Sequence, residues 1–159
     1  MIEVRSVCTA DQAEWLRMRS ALWPDDSDGE HAKEIAAFLN NKAFGWSDSL
    51  LALAVFVAVR PFGGLCGFVE ASIRPFVDGC KTRPVGYIEG WFVDAEMRRQ
   101  EIGRRLVIAA EQWAKAQGCT EVASDAHLEN TVSIKAHEAL GYEELSRTVH
   151  FRKPIDTGS

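Results

Sequence analysis

The stretch "LLALAVFVAV", Leu50 to Val59, constrains the fold more than any other. It is a continuous apolar run rich in β-branched residues, and a Pro-Phe-Gly-Gly turn ends it. "LCGFVEASI" returns from that turn, so the two segments read as a hairpin of buried strands. A chain built on such a hairpin must cover it with other elements, and the remaining sequence supplies them. "IEVRSV" alternates apolar and polar residues and predicts a first strand. Thr9 followed by Gln12 predicts a capping box opening a helix that turns Ala13, Leu16 and Leu22 inward and ends near Trp23-Pro24. "DDSDGE", Asp25 to Glu30, reads as an acidic turn, followed by a helix over about 31–40 with Ile35, Phe38 and Leu39 as its apolar face.

Beyond the hairpin, a loop at 74–84 leads to the strand "VGYIEGWFV", Val85 to Val93. A helix over about 103–117 carries Leu106, Ala110, Trp113 and Ala114 at helical spacing and stops at Gly118. "TEVASD" predicts a short strand, "ENTVSIKAHEAL" a helix closed by Gly141, and "RTVHFRKP" a terminal strand. The order is antiparallel strands first, then a β-α-β-α section, an α+β arrangement. At 159 residues the chain suits one domain, 1–159, with its own core.

Charge narrows the partners. The chain carries a net −5, yet four arginines and one glutamate fall between Arg98 and Arg105. A mostly acidic body with one basic patch disfavours nucleic acid and suits an anionic ligand at one place and a cationic one elsewhere. No apolar run reaches the roughly 18 residues of a membrane span. The start, "MIEVRSVCTADQ", lacks the pattern of a secretory signal. Cys8, Cys66, Cys80 and Cys119 form no metal-ligand spacing and read as buried free thiols in a reducing cytoplasm. No metal is expected.

In "RRQEIGRRL" a strand feeds a loop of mixed charge and then a helix. Helix N-termini offer unpaired N–H groups and a positive dipole end, and Arg98, Arg99 and Arg104 add charge-assisted donors for phosphate. A solvated basic patch gives the same pattern. At this point the chain resembles the GNAT acetyltransferases, whose acetyl-CoA loop reads Arg/Gln-x-x-Gly-x-Gly/Ala. Arg98, Arg99, Gln100, Glu101, Ile102 and Gly103 match it except at the first glycine. The resemblance implies a pyrophosphate site from Arg98 to Arg104. Glu101 is expected to point to solvent, to pair with Arg98 or Arg105, and to need no positive φ at a first helical turn.

Asn130, Ser133 and His137 share one face of their helix, with Val132, Ala136 and Ala139 on the opposite, core-facing side. The same family has Asn-x-x-Ser/Ala-x-x-x-Tyr here, a helix that contacts CoA, with the tyrosine protonating the leaving thiolate. His137 replaces it, and a protonated or N–H imidazole can donate to sulfur; a plain surface histidine is the alternative. Gly90 beside Glu89 predicts a bulge. By the resemblance this strand parts from the next, backbone groups of Trp91, Phe92 and Val93 hold pantetheine and the thioester carbonyl, and Glu89 is placed to accept a proton. Salt-bridging is the other use for Glu89. Asp125 closes the next strand as a second carboxylate, or as a turn aspartate.

"LWP", "ASIRPFVDGC", "YIEGWFV", "ASD", "ENTVSIKAHEALGY" and "FRK", in order over about residues 2–153, resemble the aminoglycoside 6′-N-acetyltransferases within that family. The resemblance implies the GNAT fold, a mixed, mostly antiparallel sheet flanked by helices with splayed strands at the acetyl-CoA site. It implies direct acetyl transfer from acetyl-CoA to the 6′-amine of an aminoglycoside, and a homodimer that exchanges C-terminal strands. Aminoglycosides are polycations, and Asp26, Asp78, Glu89 and Asp125 are candidates to hold one, with Trp23 and Phe76 covering its rings. A polyamine or protein amine as acceptor, or an acetyl-CoA-binding module without turnover, are the rivals.

Overall fold

The computed structural model describes residues 2–41 and 50–158. The chain divides into two compact units, Met1–Asp125 and Ala126–Ser159.

The first unit is one five-stranded sheet in sequential order: β1 (Glu3–Ser6), β2 (Ala52–Val59), β3 (Leu65–Arg74), β4 (Val85–Val93) and β5 (Val122–Ser124). Its first three pairings are antiparallel, and β4 with β5 is parallel. A parallel pair needs a crossover, and α3 (Ile102–Ala116) supplies it. Gly63 and Gly64 turn the β2–β3 hairpin at φ +105° and +80°, a conformation that favours glycine.

Helices cover both faces of the sheet. Ile102, Leu106 and Ala110 of α3 pack with Ala58, Cys66, Ala71 and Ile88. On the other face α1 (Gln12–Leu22) and α2 (Asp28–Leu39) bring Trp15, Met18 and Ile35 against Val55, Val57 and Phe68. A strand covered on both sides is apolar at consecutive positions, which is why β3 is buried from Leu65 to Ile73.

Several expectations are corrected. Helix α1 buries Trp15, Met18 and Arg19, whereas Ala13 is exposed and Leu16 and Leu22 are only partly covered. The arginine interrupts the apolar pattern because its charge is matched inside, by Glu70 at 2.7 Å. A 3₁₀ turn, Thr9–Asp11, precedes α1, and Asp11 rather than Gln12 closes the box by accepting the Cys8 N–H. The acidic turn is shorter than expected. Ser27 caps α2, so Asp28 and Glu30 lie in its first turn, where carboxylates favour the dipole; Asp28 also accepts from Ser20. Cys8 is exposed, unlike Cys66 and Cys119.

The second unit holds α4 (Thr131–Ala139), and its stripe of Val132, Ala136 and Ala139 is not core: Val132 is 73% exposed. The terminal strand is absent. "RTVHFRKP" has an apolar alternation, yet a strand needs a pairing edge and finds none within the described chain.

No helix among the described residues is long and apolar enough to cross a membrane.

Candidate active site

Strands β4 and β5 pair only at Gly86, Tyr87 and Ile88, after which β5 ends at Ser124 and β4 continues to Val93. Beyond Ile88, the ladder partners of β4 among the described residues lie on β3 alone. After the parting, residues 89–93 have no ladder partner on the β5 side among the described residues, so backbone groups on that side can pair with an extended ligand. The expected bulge is present: Glu70 opposes Gly90 while Ala71 opposes Ile88, so Glu89 is the extra residue.

The bulge delivers Glu89 into a cluster. Its Oε1 accepts from Ser72 Oγ at 2.6 Å and from Arg74 Nε at 3.1 Å, and Oε2 accepts from Arg74 Nη2 at 2.9 Å. Arg74 also lies over the Tyr87 ring, 3.5 Å from its centroid. The Tyr87 hydroxyl in turn donates to Asp125 Oδ2 at 2.6 Å. Burial and the Asp125 carboxylate push the Tyr87 phenol well above its ordinary value, so it stays a donor. Glu89 and Asp125, taken separately from sequence, are thus two ends of one chain of contacts through Arg74 and Tyr87.

Ser72, Arg74 and Tyr87 were missed. Their signal is local: Ser72 and Arg74 alternate on one side of β3, and Tyr87 directly opposes Ser72. Trp23 sits at the end of α1, and its indole occupies the space a side chain at Gly90 would need. The remaining acceptor candidates lie on separate loops. Asp26 borders a pocket with Glu30, His31, Lys33 and Glu34. Phe76 is half-exposed, 5.3 Å from the Arg83 guanidinium, and Asp78 stands in the Val77–Cys80 turn.

The basic loop ends in an anion-ready helix start. The first α3 bond runs from the Arg105 N–H to the Glu101 carbonyl, so the N–H groups of Ile102, Gly103 and Arg104 precede the ladder. The Ile102 side chain is buried and anchors the helix, leaving only its backbone for a ligand. Gly103 abuts the Trp91 indole, where an added Cβ would lie 3.1 Å from Cζ2. Arg98 Nε donates to the Val93 carbonyl at 2.9 Å, folding the loop onto the end of β4. Arg99 and Gln100 are exposed.

Glu101 departs from expectation in backbone and agrees in direction. It is the N-cap of α3 at φ +66°, in the left-handed region, and Arg99 shares that region at +64°. A glycine there relieves strain that Glu101 bears. Its side chain is 73% exposed and faces Arg104 at 3.7 Å; Arg98 and Arg105 are committed to Val93 and Ile2 carbonyls instead.

In the second unit, Asn130 caps α4 by accepting the Ser133 N–H at 3.1 Å. His137 Nδ1 lies 2.7 Å from the Ser133 carbonyl, which only accepts, so Nδ1 carries hydrogen. Nε2 then carries a hydrogen only in the imidazolium form. Among the described residues no three His, Cys, Asp or Glu side chains gather as a metal site.

Residues 15–142 match the model of the acetyltransferase (GNAT) family. An aminoglycoside N(6′)-acetyltransferase type 1 of Klebsiella aerogenes is 47% identical over 152 residues, covering 96% of each chain. The enzyme of the same name from Stenotrophomonas maltophilia is 36% identical over 96% of this chain and 94% of its own. Among solved structures, AAC(6′)-Iy in complex with the bisubstrate analogue CoA-S-monomethyl-acetylneamine superposes with TM-score 0.84 at 35% identity, over 98% of this chain and 99% of that one. The 6′-N-acetyltransferase AAC(6′)-Ih of Acinetobacter baumannii gives 0.83 at 35%, over 98% of this chain and all of that one.

Proposed function

The chain belongs to the acetyltransferase (GNAT) family, and we propose that it transfers the acetyl group of acetyl-CoA to the 6′-amine of aminoglycoside antibiotics, so conferring resistance. The observation that carries this reading is the Glu89–Arg74–Tyr87–Asp125 chain on the rim of the parted strands. Two carboxylates beside a slot for a pantetheine arm suit a cationic amine meeting a thioester. The relatives named for that reaction cover nearly their full lengths in the match.

The proposed division of labour follows the chemistry of thioester aminolysis. The N–H groups opening α3, with Arg99 and Arg104, hold the pyrophosphate, and Gln100 borders it. Backbone groups of Trp91, Phe92 and Val93 hold the pantetheine arm, and an N–H near Val93 steadies the tetrahedral oxyanion. The ammonium proton passes to the Glu89–Asp125 pair, directly or through water. The neutral nitrogen attacks the carbonyl carbon, the C–S bond breaks, and the thiolate takes a proton from the His137 imidazolium. Asn130 and Ser133 order the start of that helix. Trp23, Asp26, Phe76 and Asp78 are the proposed contacts to the sugar.

We further propose a homodimer. Leu145, Val149, Phe151 and Ile155 are exposed and fall at odd-numbered positions, interrupted by Arg147 and Lys153, a pattern that suits one face of a strand whose partner lies in a second copy. Acetyl-CoA as co-substrate and four free cysteines suit the cytoplasm.

Thiol release on mixing enzyme, acetyl-CoA and kanamycin tests turnover, and NMR of the product maps the acetyl group to N6′. Modification at another nitrogen, or a higher kcat/KM for spermidine or a peptide, overturns the acceptor. Glu89→Gln and Asp125→Asn each lower kcat by about 10²-fold. Unchanged kcat in both removes the proton-acceptor assignment.

A further inference from the structure

A second set of charged groups lies beside this site, and the chemistry above does not use it. Glu70 opposes Gly90 where the β3–β4 register shifts, and is 1% exposed. It accepts the Trp15 indole N–H at 3.0 Å and pairs with Arg19 at 2.7 Å. Arg19, 4% exposed, also reaches Glu34 at 2.7 Å and His31 Nδ1 at 3.4 Å. His31 Nε2 lies 3.1 Å from the Trp23 carbonyl. A carbonyl only accepts, so Nε2 carries hydrogen and Nδ1 presents its lone pair to the guanidinium.

The set converges on one indole. The His31 ring stacks on Trp23 with planes 21° apart and centroids 6.3 Å apart, and Arg19 lies 5.0 Å from the same ring. That indole fills the space beside Gly90, where an added Cβ would lie 2.4 Å from Trp23 Cη2. Gly90 is the residue after the bulged Glu89.

Stability does not call for this arrangement, because apolar residues of similar volume in place of a buried ion pair are often as stable or more so. Hydrogen-bonded charges add direction, because a hydrogen bond weakens steeply as its angle departs from linear. We propose that Glu70, Arg19 and His31 are positioning residues that hold Trp23 against the β4 bulge and thereby set the acceptor-side wall next to Glu89. The inference rests on the reading of Trp23 as an acceptor contact. It leaves the α3 loop and acetyl-CoA binding untouched.

The test labels the enzyme with 5-fluorotryptophan and assigns the Trp23 line in the ¹⁹F spectrum with Trp23→Phe. Glu70→Leu and Glu70→Gln are then compared with the parent. Glu70 acts on Trp23 through Arg19 and His31, so a shifted or broadened Trp23 line with an unmoved Trp113 line is the expected result. KM for kanamycin rises about 10-fold in Glu70→Leu and less in Glu70→Gln, while KM for acetyl-CoA stays within about twofold. An unmoved Trp23 line overturns the proposal, as does a parallel rise of both KM values with a lower Tm. Should Glu70→Leu not fold, Glu70→Gln decides by the same measures. Should the parent not acetylate kanamycin, the acceptor reading fails, and the ¹⁹F line alone decides the positioning role.

Discussion

The Tyr87 hydroxyl donates to Asp125 Oδ2 at 2.6 Å, joining β4 to the residue that follows β5 just where those strands stop pairing. This contact, with Arg74 over the tyrosine ring, makes one site of two carboxylates on different strands. Tyr87→Phe keeps the ring and removes the donor. Its expected effect is about a tenfold fall in kcat/KM for the aminoglycoside, an unchanged KM for acetyl-CoA, and about 1 kcal/mol of lost stability. Initial rates and urea melts check it.

Glu101 holds a left-handed backbone at φ +66° that costs a non-glycine residue roughly 1 kcal/mol. Glu101→Gly removes that strain and a carboxylate beside the basic loop. The variant gains about 1 kcal/mol, less whatever the unfolded chain gains in freedom, and binds CoA as tightly as the parent or tighter. Calorimetric titration with CoA and a thermal melt read both; weaker binding contradicts the solvent-facing side chain.

Stability depends on pH with opposite signs at two places. Arg5 holds Asp11 below its ordinary value, and Arg17 does so for Glu14. At Asp94 burial pushes upward, but Arg17 and Arg60 outweigh it and the carboxyl is lowered. These contributions are complete above the ordinary carboxylate values, about 4, and are lost as pH falls through the folded ones. Burial instead pushes Glu70 up to about 7 from 4.5, against Arg19 and Trp15. Its contribution is complete below the unfolded value and is lost as pH rises toward the folded one. Unfolding free energy from urea melts therefore peaks near about pH 5. Asp94→Asn flattens the acid limb, and Glu70→Gln flattens the limb between 5 and 7.

Phe151 is 91% exposed in a single chain. Phe151→Asp removes the most exposed of the four apolar residues Leu145, Val149, Phe151 and Ile155 and puts a carboxylate in its place. On the proposed homodimer, the expected result in light-scattering chromatography is a dimer for the parent and a monomer for the variant; a monomeric parent or an unchanged mass in the variant removes the strand-exchange reading.

What can be read along the chain is what neighbouring residues decide together. The apolar run at 50–59, the Gly63-Gly64 turn, the helical stripe of α3 and the Glu89-Gly90 bulge all follow from spacing within a few residues, and the structure has each of them. The basic loop before α3 belongs to the same class, since a helix start and its arginines are contiguous.

Where an answer depends on a distant partner, the local pattern misled. Spacing in α1 put Ala13, Leu16 and Leu22 inward, yet the helix buries Trp15, Met18 and Arg19, and the arginine is inside because Glu70, 51 positions away, meets it. Tyr87 had no evident role until Asp125, 38 positions later, was found to accept from it. The "RTVHFRKP" segment, 147–154, promised a strand, but a ladder needs a second edge, and the segment says nothing about which chain supplies it. Periodicity is a property of consecutive residues and determined the elements. Charge pairing and strand pairing are properties of surfaces brought together by folding, and only the tertiary structure decided those.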